Sequence, residues 1–447
     1  MDKREYACFK RCLEWYQAAP QYRLDMERAP EFAVKILGFD TLLDAKKVRE
    51  AIRQIVMGIP IGQPSENPYI QAYSEHFARV GAFVKQSHAR SRFATEQLCR
   101  FADTSRNRCR MESRAMRSHD NVYYYPLCFE LSSGCRVQCK FCGLAAKPFS
   151  GNFLYTEENR ALWRSILQIS KEAIGEILQT SICYFATEPM DNPDYERFML
   201  DHREITGGFS QITTALADRH ANRLRTWMQI LGEETMQRTS PLRFSICSLA
   251  QFFRIVNQFS PEELAYVELL PNNPESLLRY ADSGKVDSET YAPDKCMQYS
   301  ISCIAGLRVN MVERTIAFIE PELPDAEFPL GYRQREIRTF TDAESYTSAL
   351  YELLDRYAIG TLPRERPLCF NKNIRMEEAD GALFFRGDGC YYRLAAQEML
   401  IRAVAAIHGG ATFSEIAAEL TLNPSAAENL YTDLNKLFVR GYLRLQL

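Results

Sequence analysis

The chain has 447 residues, of which 25% are charged and 46% are hydrophobic, and its formal net charge is -3. This is the composition of a globular protein of roughly two to four domains, and the near-neutral charge argues against a protein built mainly to bind nucleic acid. No apolar run approaches the ~18 residues that a membrane helix needs, and the charged N-terminus, MDKREYACFKRCLEWYQ, is unlike a signal peptide. We therefore expect a soluble, cytoplasmic protein that binds neither membranes nor nucleic acid.

Residues 1–120 are predicted to form a helical N-terminal domain. The segments EYACFKRCLEWYQ and LDAKKVREAIRQIVMG each place apolar residues on one helical face. A third helix is predicted to begin at Pro68, just after Asn67, which is a favourable N-cap residue.

The pattern changes at about residue 121, and residues 121–320 are predicted to form an α/β core. Short apolar segments typical of strands alternate with amphipathic helices, one of which begins after the N-cap Thr156. Such alternation is typical of parallel strands joined by helical crossovers, in a sheet or a barrel. The predicted strands are YYYPLCFEL, SICYFATEP, FSQITTALAD, LRFSICSL, AYVELLPNN and MQYSISCIAGLRV.

Residues 321–447 are predicted to form a C-terminal extension that ends in a winged-helix module at about residues 390–447. Thr412 and Glu415 have the spacing of a capping box, and Asn423 with Pro424 starts a further helix. The last segment, YLRLQL, alternates as a strand does. Three helices and a final strand favour a winged helix.

Three of the fourteen cysteines form a tight cluster, Cys135-x3-Cys139-x2-Cys142, flanked by Gly134 and Gly143. A structural zinc site takes four ligands, usually from two distant pairs, and the chain has no second pair of that kind. A [4Fe–4S] cluster bound by three thiolates keeps one iron open for another ligand. A loop without metal and a three-cysteine zinc site are the alternatives.

The C-x3-C-x2-C motif after the first strand of a βα core resembles the radical S-adenosylmethionine (SAM) superfamily. The resemblance implies a partial (β/α)6 TIM-like barrel with one [4Fe–4S] cluster on Cys135, Cys139 and Cys142. It further implies SAM bound to the open iron, with Phe141 near its adenine, and cleavage of SAM to methionine and a 5′-deoxyadenosyl radical. The later cysteines form no tight pairs, so we expect only one cluster.

The second family feature is a turn after strand two that binds the SAM ammonium, where this sequence reads Ala-Thr-Glu-Pro. Glu188 is the candidate partner of the ammonium, and Thr187 is small enough to let the backbone approach it. The alternative is that Glu188 is simply a carboxylate at a helix N-terminus. Weaker candidates for SAM contacts, each of which can instead be a capping or turn residue, are Thr214, Ser245 and Asn272.

Over roughly residues 120–350 the sequence resembles peptide epimerases of the proteusin type, which act on ribosomally made precursor peptides. The resemblance implies that L-residues become D-residues by loss of the Cα hydrogen and return of a hydrogen from a thiol. Cys303 is our first candidate for that thiol, and a packed core cysteine is the alternative. Cys369 and Cys390 are reserves. Cys183 and Cys247 are expected to be packing residues.

The C-terminal module is similar to winged-helix domains that bind the leader segment of such precursors, so the expected partners are a precursor peptide, leader and core, and an electron donor such as flavodoxin or ferredoxin. Acidic residues on its last helix argue against DNA, and a module that merely covers the barrel is the alternative. Two rival functions remain: peptide crosslinking by the same radical chemistry, and a non-catalytic protein that binds precursor peptide.

Overall fold

The computed structural model describes residues 1–58, 63–112, 125–278, 280–286, 296–297, 304–387 and 390–446. Its helices are α1 (Lys3–Ala18), α2 (Pro20–Arg28), α3 (Pro30–Ile36), α4 (Ala45–Met57), α5 (Pro68–Arg90), α6 (Glu96–Glu112), α7 (Glu157–Ile174), α8 (Tyr195–Thr206), α9 (Ala221–Leu231), α10 (Glu233–Thr239), α11 (Leu249–Gln258), α12 (Ala343–Tyr357), α13 (Glu398–His408), α14 (Phe413–Glu419) and α15 (Pro424–Val439).

Its strands are β1 (Tyr125–Glu130), β2 (Ser132–Ser133), β3 (Gly151–Asn152), β4 (Ile212–Thr214), β5 (Leu242–Ile246), β6 (Glu268–Pro271), β7 (Tyr280–Ala281), β8 (Cys296–Met297), β9 (Ile304–Asn310), β10 (Thr315–Pro321), β11 (Tyr332–Thr339), β12 (Leu368–Phe370), β13 (Arg375–Ala379), β14 (Ala382–Gly387), β15 (Cys390–Ala395) and β16 (Leu443–Leu445). For residues 109–112, 125, 281, 296–297 and 390 only the backbone is described.

Helices α1–α6 occupy the first 112 residues, as predicted for this part of the chain. The side chain of Asn67 accepts a hydrogen bond from Tyr69 N and Pro68 occupies the first turn of α5, so the predicted start of this helix is confirmed. Phe9, Val48 and Ile52 lie in a buried cluster that is distinct from the main core. The N-terminal helices thus have an apolar core of their own.

The central sheet is mainly parallel. β1 pairs in parallel with β9, while β10 and β11 continue the sheet beyond β9 as antiparallel strands. On the other side of β1, single parallel bridges run from Cys128 to Ile182 and from Ile182 to Gln211, and the parallel strands β4, β5 and β6 follow. The last parallel strand of the core therefore lies beside the first.

The prediction of a strand in SICYFATEP is wrong, because the bridges found there are confined to Ile182, which forms one with Cys128 and one with Gln211. The next carbonyl, that of Cys183, accepts a hydrogen bond from the Tyr195 hydroxyl at 3.1 Å and not from a neighbouring strand. The chain then turns at Glu188 into a short 3₁₀ helix, Pro189–Asp191. A side chain of α8 thus takes the place of a backbone partner.

Side chains along a strand point alternately toward the helical layer and toward the inner face of the sheet. On β5, Leu242, Phe244 and Ile246 are buried in the main core, whereas Arg243 and Ser245 are half-buried on the opposite face. This alternation matches the period of two residues in a strand. The helices that pack on the core side are α7, α8, α9, α11 and α12, and the cysteine loop lies at the ends of the parallel strands.

The C-terminal part contains the antiparallel sheet β13–β14–β15, the helices α13–α15, and β16 paired with β12. The capping box of Thr412 and Glu415 is confirmed, as is the start of α15 at Asn423 and Pro424. The sequence analysis did not predict the three-stranded sheet.

A buried ion pair joins this C-terminal part to the central sheet, and a cation–π contact joins it to α6. Glu322, which is 1% exposed, receives hydrogen bonds from Arg333 at 3.0 Å and from Arg444 of β16. Arg108 of α6 contacts Glu320 of β10 at 3.0 Å and lies over the Phe438 ring of α15.

The described part of the chain is thus a mixed α/β structure, as predicted, and its strands do not form a closed barrel. None of the described helices combines the length and the apolar character needed to cross a membrane.

Candidate functional site

The cysteine loop begins where β1 and β2 end. Its base is closed by the antiparallel pair β2–β3, and Cys135 N donates a hydrogen bond to Lys147 O at 2.9 Å. Gly134 has a φ of +70°, and a Cβ at this position would lie 2.2 Å from Pro148 O. Only glycine fits this close turn, where the chain enters the cysteine loop.

Gln138 holds the loop together from inside. Its side-chain amide donates hydrogen bonds to the carbonyls of Cys135 at 2.7 Å, Ala146 at 3.1 Å and Lys147 at 2.9 Å. Its Oε1 accepts a hydrogen bond from Lys285 Nζ at 2.8 Å. The residue has a φ of +48°, which is uncommon outside glycine. Nothing in its sequence context indicated this role.

The three loop thiols are partly exposed, and backbone N–H groups point at them. Ala146 N donates to Cys142 Sγ at 3.4 Å. Burial raises the pKa of Cys135 to about 11, and backbone hydrogen bonds from Gln138 and Val137 work against that shift. The hydrogen bond with Cys247, and then burial, raise the pKa of Cys139.

This donor set fits an iron–sulfur cluster, since thiolates bind such clusters and N–H groups directed at the sulfurs tune them. The thiols are not gathered in advance, however. Among the residues described, no three His, Cys, Asp or Glu side chains are arranged to hold a metal ion. Cys135, Cys139 and Cys142 would thus hold a cluster only after their side chains turned toward one another.

A second segment, residues 280–286, packs against the outside of the cysteine loop. Lys285 N donates a hydrogen bond to Cys142 O at 2.9 Å, and a Cβ on Gly284 would lie 2.5 Å from that same oxygen. Phe141, the predicted adenine neighbour, has its ring centroid 6.2 Å from that of Tyr280. The second half of the loop is therefore fixed by residues more than a hundred positions later.

Glu188 and Thr214, both predicted site residues, lie in direct contact. Glu188 is 3% exposed, and its carboxylate accepts hydrogen bonds from Thr214 Oγ1 at 2.5 Å, Ala215 N at 2.9 Å and Met190 N at 3.0 Å. Burial raises the pKa of Glu188 to about 7, against these hydrogen bonds. Because Met190 N is in the turn that Glu188 caps, the helix-terminus alternative also describes it correctly.

The weaker candidates are placed less closely. Thr187 precedes Glu188 and is half-buried, and Ser245 is half-buried on the inner face of β5. Asn272 follows β6 and donates from Nδ2 to Leu270 O at 3.2 Å, as a turn residue does. These positions leave the roles of Thr187, Ser245 and Asn272 as predictions.

The candidate thiol Cys303 lies outside the described residues, as does the side chain of Cys390. Cys369 is on β12, which forms a two-stranded sheet with β16, and it lies opposite Arg444. Cys183 is fully buried in the main core, so the prediction that it is a packing residue is confirmed.

The prediction that Cys247 is also a packing residue on a core strand is wrong. Cys247 follows β5, is only half-buried, and its Sγ lies 3.8 Å from Cys139 Sγ. The apolar neighbours in the sequence were misleading because the strand ends at Ile246, and the next side chain reaches the cysteine loop.

The inner face of the sheet carries a polar network that the sequence analysis missed. Arg243 of β5 donates to Thr213 Oγ1 at 3.0 Å and to the Tyr184 hydroxyl at 2.8 Å, and Thr213 donates to the same hydroxyl at 2.6 Å. Glu268 of β6 lies 3.8 Å from Arg243. The alternation of the polar residues Arg243 and Ser245 with apolar ones on β5 was the signal available.

Glu130, at the end of β1, joins three parts of the site. It is fully buried, accepts hydrogen bonds from Ala186 N at 3.1 Å and Asn310 at 3.1 Å, and pairs with Arg308 at 2.9 Å. The turn that carries Glu188 is thereby fixed to the ends of β1 and β9.

No family model and no solved structure matches the chain. The chain is similar to the uncharacterized protein y4wI of Sinorhizobium fredii (strain NBRC 101917 / NGR234), with 30% identity over 328 residues. The aligned part covers 71% of this chain and 63% of that relative. The name of this relative states no activity.

Proposed function

We propose that the chain is a radical SAM maturase of a ribosomally made precursor peptide, and foremost an L-to-D peptide epimerase. The observation that carries the proposal is the contact between the three-cysteine loop and the turn of Glu188: Arg136 N donates a hydrogen bond to Asp191 at 2.9 Å, and Glu188 in the same turn binds Thr214 Oγ1 at 2.5 Å. Open α/β sheets bind ligands at the carboxyl ends of their strands. The parallel order from β9 through β1 to β6 supports a partial (β/α)6 barrel.

In this proposal Cys135, Cys139 and Cys142 hold one [4Fe–4S] cluster, and Glu188 holds the SAM ammonium. When bound, cluster and SAM supply a radical that removes hydrogen from the substrate. A buried carboxylate with a pKa near 7 gains strongly from a cationic partner, because the partner stabilises the charged form that burial disfavours. The Thr214 and Ala215 hydrogen bonds fix the orientation of that carboxylate.

The peptide core would lie along the inner face of the sheet. The Tyr184, Thr213 and Arg243 network offers hydroxyl and guanidinium groups there, and peptide carbonyls accept hydrogen bonds from such donors. Arg243→Gln is therefore expected to raise the KM for the peptide while the KM for SAM changes little.

The leader segment would bind the C-terminal part. A peptide can be added as a strand to an exposed sheet edge, and β13 and β15 are the edge strands of their sheet. Tyr391 on β15 is 65% exposed, which is high for a large aromatic side chain. The proposal therefore places the leader on β15, and Tyr391→Ala should weaken leader binding measured by fluorescence anisotropy.

The first experiment tests the cofactors. The full chain is reconstituted with iron and sulfide without oxygen, reduced by dithionite or flavodoxin, and assayed for iron–sulfur absorption and for methionine with 5′-deoxyadenosine. Alanine at Cys135, Cys139 or Cys142 should abolish both signals, whereas Cys369→Ser should leave them. A wild-type chain with neither signal would support the non-catalytic, peptide-binding alternative.

The second experiment identifies the product. A candidate precursor peptide, from a small reading frame next to the gene, is incubated in heavy water. Epimerisation adds about one mass unit per site, because an exchangeable thiol returns deuterium to a carbon radical, whereas a crosslink removes two hydrogens. Cys303→Ala should keep SAM cleavage and lose the deuterium label. If this variant still labels, Cys369 and Cys390 are tested next.

A further inference from the structure

The thiol of Cys247 lies beside the cysteine loop without belonging to the C-x3-C-x2-C motif. Its Sγ is 3.8 Å from Cys139 Sγ although the two residues are 108 positions apart, and both side chains are half-buried. We propose that Cys139 and Cys247 are a redox modification site, which forms a reversible disulfide when the loop carries no cluster. The consequence for catalysis rests on the proposed function, but formation of the bond does not.

The backbone on the Cys247 side is held in place. Cys247 N donates a hydrogen bond to Gln251 Oε1 at 2.7 Å, and Gln251 Nε2 donates to Ala215 O at 2.7 Å and to Asp218 at 3.0 Å. Ser248 caps α11 directly after the cysteine. The position of Cys247 is therefore set by a buried side chain, and it does not depend on packing of the thiol itself.

The backbone on the Cys139 side is held by Gln138, whose amide binds three loop carbonyls. Both main chains are thus held in place by hydrogen bonds. The two sulfurs lie 3.8 Å apart. A disulfide has an S–S distance of about 2.05 Å, so the sulfurs have to approach each other by about 1.7 Å. Rotation of the two thiols about their Cα–Cβ bonds provides such a movement.

The chemistry balances with hydrogen peroxide as the oxidant. One thiol attacks the peroxide as its thiolate, becomes a sulfenic acid and releases one water. The second thiol then attacks the sulfenic sulfur, the S–S bond forms, and the leaving hydroxide takes up a proton as a second water. In total two thiols and one H₂O₂ give one disulfide and two waters, and a dithiol reductant reverses the reaction.

The disulfide would remove Cys139 from the proposed ligand set. A chain oxidised in this way could not bind a cluster through all three thiolates, and reduction would restore the site. The disulfide would also prevent the irreversible oxidation of Cys139 to a sulfinic or sulfonic acid. The proposed effect is a reversible block of the empty site under oxidising conditions.

The sequence permits a direct test by trypsin digestion. Cleavage after Arg136, Lys140, Arg243 and Arg254 gives the peptides 137–140 and 244–254, each of which contains one cysteine. The full-length cluster-free chain is treated with one equivalent of H₂O₂, alkylated, digested and analysed by mass spectrometry. The expected product is the two peptides joined, two hydrogens lighter than their sum, and lost after dithiothreitol.

Cys247→Ser should abolish this product, and Cys369→Ser is the matched control that should retain it. The oxidised wild type should also take up less iron until it is reduced. Digests in which Cys139 joins another cysteine, or in which it is only overoxidised, would overturn the proposal. Because the linked peptide is read in the wild type without cluster or SAM, a chain that fails to cleave SAM leaves this test intact.

Discussion

The buried carboxylate of Glu188 gives a prediction that needs neither cluster nor substrate. In the folded chain its pKa is raised to about 7 from 4.5, chiefly by burial. Glu188 therefore favours the folded state most at pH values below 4.5, and this contribution is lost as the pH rises through about 7. Glutamine does not titrate, so the difference in the free energy of unfolding between wild type and Glu188→Gln reports the pH dependence of this one carboxyl group.

The size of the effect follows from linkage. With these two pKa values, the Glu188 contribution to the free energy of unfolding falls by about 2 kcal/mol between about pH 5.5 and about pH 8. In the variant, the NH₂ group of the glutamine faces a hydrogen-bond donor that binds the carboxylate in the wild type. Two donors facing each other leave one hydrogen bond unmade, which costs about 1–3 kcal/mol at either pH. Wild type should thus be the more stable protein at low pH, by a margin that shrinks as the pH rises.

The assay is urea unfolding of the cluster-free chain under reducing conditions, followed by tryptophan fluorescence at both pH values. Thr214→Val is the companion variant, because its hydroxyl stabilises the ionised carboxylate. Its loss of stability should be larger at the higher pH. A margin between wild type and Glu188→Gln that stays constant, or that grows with pH, would refute the reasoning that burial controls this carboxyl group.

Three further variants test other contacts of the chain. Gly284→Ala would place a Cβ 2.4 Å from a backbone oxygen of the cysteine loop, whereas Gly232→Ala, also at positive φ, meets open space; in thermal unfolding the first should cost about 1–3 kcal/mol more than the second. Glu322→Gln leaves two buried arginines without their carboxylate and should cost about 3–5 kcal/mol, against a small change for the exposed Glu428→Gln. Gln138→Ala removes three hydrogen bonds of the loop. The loop thiols should therefore be alkylated faster, and the chain should bind less iron after reconstitution. An unchanged alkylation rate would show that the loop keeps its conformation without Gln138.

The elements that the sequence predicted best are those with local signals. Asn67, Thr156 and Thr412 are followed by helices that begin where their caps predict, because an N-cap acts within one turn. One local signal was overlooked. The dipeptide Asp380-Gly381, typical of a two-residue hairpin, joins β13 to β14 with both residues at positive φ.

The contacts that the sequence did not predict join residues far apart in the chain. No periodicity or spacing in the sequence indicates that Cys247 lies beside Cys139 or that Gln138 forms hydrogen bonds with the loop carbonyls. The cysteine motif identifies which thiols are gathered on one loop, but only the fold shows which groups approach from other strands. Glu188 with Thr214 is intermediate, because parallel strands bring their carboxyl ends to one edge.

The pairing of β1 with β9 has a consequence for how the chain acquires its structure. Glu130 and Arg308 are 178 positions apart, yet the buried charge of one depends on the other. At about 5–20 residues per second of synthesis, roughly 10 to 40 s separate the emergence of the two strands from the ribosome. During that interval β1 lacks the strand that pairs with one of its edges and carries Arg308, the partner of Glu130. The first strand of the core is therefore synthesised early, but its pairing with β9 can be completed only after β9 has also been made.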